Sequence, residues 1–211
     1  MIEELMLLTS TETYNLNGGM RIKEISIKPW ESPNSKLLFE VWADCWTNDP
    51  HEMWEVTCMD VRAPQGIPLA VMSGTQIKLY DDHPLLWGRE VYFTITGSAD
   101  NIPSIMGELF IEHTNVCGNW VDFHRLYSSL LETLRTLRDN QLAIPINLKD
   151  SCFQILERHG VKYKVNEIES EDQNFLKDCQ VLLFSHENWP DSENFEQSYI
   201  IGKGFSARRF S

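Results

Sequence analysis

The residues best suited to chemistry lie between Asp81 and His124: Asp81-Asp82-His83, then His113, Cys117, Asp122 and His124. Imidazole, thiolate and carboxylate side chains bind transition metals and move protons near neutral pH. His113 and Cys117 are four residues apart, so on one helix they share a face. The set lacks the tight pairing of a motif such as His-Glu-x-x-His, and Gly118 interrupts the chain before His124. No catalytic residue, no metal and no cofactor is assigned on this basis. His83, His113 and His124 are retained as candidates to line a pocket. They support an alternative reading as an enzyme of unrecognised type, metal-dependent if they gather in space.

Other chemical patterns are weaker. No Gly-x-Ser-x-Gly elbow occurs, and the consecutive trio Ser185-His186-Glu187 sends neighbouring side chains to opposite faces of a strand. Gly202-Lys203-Gly204-Phe205-Ser206 has the glycines of a phosphate loop but no following helix to supply amides, so the glycines are read as bends in a strand. Five dispersed cysteines without a Cys-x-x-Cys pair read as reduced thiols. Cys45 and Cys58 flank a hairpin and are placed to face one another across it.

The remaining unusual feature is seven tryptophans: Trp30, Trp42, Trp46, Trp54, Trp87, Trp120 and Trp189. Most belong in a core, but Trp42 and Trp46 alternate with Phe39, Val41, Ala43 and Cys45 along one strand, so the two sets face opposite ways. With Asp44 they form an aromatic patch suited to a protein or small-molecule ligand.

Thirty-one acidic against 18 basic side chains give a formal charge of −13, which repels nucleic acid and anionic lipid. Acidic residues concentrate from Glu167 to Glu196 against Lys177 alone, as a solvated rim or a docking surface for a basic partner. No apolar run approaches the ~20 residues needed to span a bilayer, and the start is acidic where a secretory signal is basic. The expected address is cytoplasmic, without membrane or nucleic-acid partners and with oligomerisation open. The preferred function is a non-catalytic binding or interaction module.

The elements that must position these residues follow from periodicity. Strands are expected at Leu5 to Tyr14 and Met20 to Ile27, the second with a one-residue slip between Ile22 and Ile25 that implies a bulge. Lys36 to Trp46 and Met53 to Val61 form a second pair in which Trp54, Val56 and Cys58 share a face, followed by strands at Leu69 to Met72, Gln76 to Tyr80 and Glu90 to Thr96. Pro103 opens a helix bearing Ile105, Met106, Leu109, Phe110 and His113. A second helix, Asn119 to Asn140, carries the widest apolar stripe, with Asn119 and Asp122 at its start. A third spans Lys149 to His159, and strands at Val161 to Ile168, Gln180 to His186 and Ser198 to Phe205 precede a basic tail aimed at the acidic rim. The sum is a single α+β domain over 1–211, with a possible subdivision near 98–102. Its mainly antiparallel sheet comes from the N-terminal half, two or three helices from 103–159 cover one face, and further strands lie near the C-terminus.

Overall fold

The computed structural model describes residues 2–27, 34–47, 51–67, 71–138, 140–185 and 198–210. Trp30, Trp189, the His186-Glu187 part of the serine trio and the acidic residues of 186–196 lie outside them.

In chain order the elements are α1 (Ile2–Thr9), α2 (Glu12–Asn17), β1 (Gly19–Ser26), β2 (Asn34–Trp42), β3 (Glu52–Gln65), β4 (Val71–Ser73), β5 (Gln76–Tyr80) and β6 (Glu90–Ile95). Then come α3 (Ile102–Cys117), α4 (Phe123–Thr136), β7 (Leu142–Pro145), α5 (Lys149–Arg158), β8 (Tyr163–Ile168), β9 (Gln180–Ser185) and β10 (Ser198–Phe210). The α+β class is evident: every strand pair is antiparallel, the long helices are segregated in the middle, and strands return near the end.

Contacts divide the described chain into two compact units. The first takes residues 2–86 with 178–185 and 198–210, and the second takes 87–177. The division thus falls at Leu86/Trp87 and at Lys177/Asp178, and β6 belongs with the helices that follow it.

The first unit is built on a seven-stranded sheet in the order β4-β1-β2-β3-β10-β9-β5. Its inner face alternates as the sequence demands: Leu37, Phe39 and Val41 on β2 and Trp54, Val56 and Cys58 on β3 are all buried. The register of β1 against β2 shifts between Ile22 and Glu24, which is the bulge that the slipped apolar pattern requires. Residues 5–14 do not form a strand. They lie in α1 and α2, because Ile2, Leu5 and Thr9 recur at helical spacing and are buried, and Glu3 and Glu4 favour a helix N-terminus. The partners of β1 are accordingly β2 and β4. Hydrogen bonds tie the helices to the β5 region: Ile77 N–H donates to Thr9 Oγ1 (3.1 Å), the Gln76 amide donates to Asn15 Oδ1 (2.9 Å), and the Tyr14 hydroxyl donates to Thr75 O (2.9 Å).

Strand β10 runs between β3 and β9, and register shifts between Ile201 and Lys203 and between Lys203 and Phe205 confirm that its glycines bend a strand. The strand continues to Phe210, so Arg208 and Arg209 do not form a tail toward the acidic rim. They pair with Glu55 (2.9 Å) and Glu52 (3.0 Å) across the β3–β10 ladder. Cys45 and Cys58 do not face each other either: Cys58 is buried opposite Ser35, and Cys45 is exposed in the turn after β2.

The second unit packs α3, α4 and α5 on a three-stranded sheet, β7-β6-β8. Val91, Phe93 and Ile95 of β6 alternate into a core shared with Ile105 and Leu109 of α3, Tyr127, Leu130 and Leu134 of α4, and Cys152, Phe153, Ile155 and Leu156 of α5. Pro103 sits in the first turn of α3 after the Asn101 cap, as its missing N–H favours. The α4 helix starts later than its apolar stripe suggests. Its cap is Asp122, which accepts from Arg125 N–H (2.8 Å), and Trp120 is buried in the connection before it.

Candidate functional site

The three histidines each serve a local structural purpose. His83, in the first unit, is fully buried, and its Nδ1 accepts a hydrogen bond from Leu85 N–H (3.2 Å) at the start of a short 3-10 turn, Pro84–Leu86. That bond places the proton on Nε2, and burial pulls the ring down to about 4 despite the opposing charge of Asp82. His113, in the second unit, bonds the Val121 carbonyl through Nε2 (2.7 Å) and meets Phe123 and Tyr127 edge-on, at 5.4 and 5.8 Å between centroids. It clamps the end of α3 to the entry of α4, and burial lowers its pKa. His124 is exposed on α4.

Cys117 is buried, and desolvation raises its thiol to about 12, so it is not poised as a thiolate beside His113. Among the described residues, no three or more His, Cys, Asp or Glu side chains gather in a way that would hold a metal ion.

A more organised surface lies at the end of the β2–β3 hairpin, which carries Trp42 and Trp46. Trp42 faces away from the core, since its neighbour Val41 points in. Its indole lies over Gly19, the residue opposite it on β1, where a Cβ would stand only 2.7 Å from the ring. The His51 ring packs against the Trp42 indole, with centroids 5.2 Å apart and planes tilted by 31°. Glu40 Oε1 holds the His51 ring through Nδ1 (3.1 Å). The other oxygen of Glu40 accepts from both Arg21 and Lys23, and the Arg21 contact chiefly brings the carboxyl down to about 2. A chain of contacts therefore runs from β1 through the Glu40 carboxylate to the His51 ring, which packs on Trp42.

The strand ends at Trp42, so Trp46 does not continue its alternation. It stands in a turn and is 83% exposed. Three hydrogen bonds fix that turn: Trp46 N–H to Asp44 Oδ1 (2.8 Å), Thr47 Oγ1 to Asp44 O (3.1 Å), and Cys45 N–H to Asn17 O (3.0 Å) at the end of α2. A large apolar ring is thus held out into solvent on an ordered backbone.

The sequence missed His51 and Glu40 as parts of this surface. Their same-face placement beside Trp42 depends on β2–β3 register, for which Glu40 opposite Met53 is the signal. The acidic rim is also less bare than its sequence. Arg89 bonds the Glu169 carbonyl and pairs with Glu171 (2.6 Å), and the Tyr92 hydroxyl donates to Glu169 (3.1 Å).

Comparison with family models, with curated proteins and with solved structures finds no match. No helix among the described residues is long and apolar enough to cross a membrane.

Proposed function

We infer that the protein is a non-catalytic binding module that docks a protein partner through the β2–β3 hairpin end. The exposure of Trp46 on a hydrogen-bonded turn carries this reading. Aromatic anchors dominate interface energetics because they remove a large apolar area from water at small cost in side-chain entropy, and a pre-ordered turn lowers that cost further. Trp42 with the His51–Glu40 network at the end of β2 supplies a second, mixed polar and aromatic feature on the same connection. The charge of −13 favours a basic partner over nucleic acid, with an association that weakens as salt is added.

The enzyme alternative gains nothing from the three histidines. His83 and His113 each spend a ring nitrogen on backbone, and His124 is exposed and enters no metal-ligand set among the described residues.

A pull-down from lysate, using wild type and a Trp42→Ala, Trp46→Ala double variant, tests the surface. The expected result is loss of specifically recovered proteins from the variant, while its far-ultraviolet dichroism and urea midpoint stay close to wild type. Recovery of the same proteins by both would remove the basis of the proposal.

A further inference from the structure

The second unit holds a cleft of about 240 Å³ between α3 and α5. Glu108, Ile111 and Glu112 line it from α3, and Gln154, Ile155 and Arg158 from α5. Ile155 is buried and forms an apolar floor, while Ile111, 62% exposed, forms a wall open to water. At one end Glu108 accepts from Arg158 (2.6 Å) and contacts His159 Nε2 (2.8 Å). Glu112, one helical turn further along α3, has no ion-pair partner among the described residues.

We propose that this cleft receives an arginine side chain from a peptide segment of a protein partner. The lining combines apolar side chains with a carboxylate and an amide, the mixture that an arginine side chain can satisfy. Its methylene stem covers Ile111 and Ile155, its planar head reaches the Glu112 carboxylate in paired geometry, and the Gln154 amide oxygen accepts a remaining N–H. The neighbouring Glu108–Arg158 pair shows the same chemistry satisfied within the chain. Among the described residues a bare cation would lack sufficient ligands here, an anion would meet the Glu112 carboxylate while the one arginine of the lining is already paired with Glu108, and a purely aliphatic group would leave Glu112 and Gln154 without a polar partner. The acidic charge of the chain adds long-range attraction for a basic segment. This contact is independent of Trp46 and goes beyond the hairpin surface.

The test uses the full chain labelled with nitrogen-15 and titrated with Nα-acetyl-arginine methylamide. Its uncharged citrulline counterpart serves as the control. The arginine probe should give saturable amide shifts at Ile111, Glu112, Gln154 and Ile155, with a dissociation constant on the order of 1 mM for so small a ligand. Citrulline should give none, and Glu112→Gln should weaken binding about fivefold while leaving the remaining amide spectrum in place. Ile111→Ser provides a second variant at an exposed position, expected to weaken binding by removing the stem contact. Equal binding of citrulline, non-saturating shifts spread over the acidic surface, or unchanged affinity in Glu112→Gln would overturn the proposal.

Discussion

Gly202 lies directly beneath the thiol of Cys58: a Cβ built on the glycine would stand 2.3 Å from the sulfur and 3.0 Å from the Met59 carbonyl oxygen. The approach is close because β10 bulges on both sides of Lys203 while it pairs with β3.

Gly202→Ala should therefore destabilise the protein by about 1–3 kcal/mol, the range for overpacking a filled interior. Adding Cys58→Ala should recover part of the loss by removing the sulfur, though not the clash with backbone. Urea unfolding of the single and double variants measures both steps. A silent Gly202→Ala would show that the two strands do not pack this closely.

Glu40 gives the fold a defined acid sensitivity. Its carboxyl sits at about 2 in the folded chain against an ordinary value of 4.5, chiefly through Arg21 and then His51. Depression in the folded state means that this stabilisation is complete above the ordinary value and is lost as pH falls from there toward 2. Glu40→Gln should flatten stability in that window and cost on the order of 1 kcal/mol at neutral pH, less at high salt. Urea midpoints of wild type and variant between pH 7 and pH 2 provide the comparison.

His83 acts in a higher window. Its folded value of about 4 lies below the ordinary 6.5, so the unfolded chain takes up a proton first as pH falls. Stability should decline from 6.5 toward 4, by on the order of 3 kcal/mol, and then level where the folded ring also protonates. His83→Asn retains an acceptor for the Leu85 N–H and removes the titration, so its profile should be flat across the same interval. A variant profile parallel to wild type would place the acid sensitivity elsewhere.

What the sequence revealed depended on how local the governing pattern was. The slip between Ile22 and Ile25 announced the β1 bulge, and Cys152, Phe153, Ile155 and Leu156 announced the inner face of α5, because each pattern is contained in a few neighbouring residues. The strand expected over Leu5 to Tyr14 fails because the decisive helical spacing begins at Ile2, outside that stretch. Strand β7 was missed because Leu142–Pro145 is short and ends in proline. Arg208 and Arg209 resemble a tail in sequence because the two bulges around Lys203 disrupt the alternation that carries β10 onward. The candidate surface divides along the same line. Trp42 and Trp46 were visible as residue types, but the pairing of Glu40 with Arg21 and His51 joins segments whose adjacency only the sheet creates.

The seven-stranded sheet has its last-synthesised strand in the interior of the order, joining β3 to β9. On a ribosome, the nascent β3 therefore presents one unsatisfied edge for as long as translation takes to run from Gln65 to Phe210. Slowing synthesis of the intervening segment should lengthen that exposure and raise aggregation.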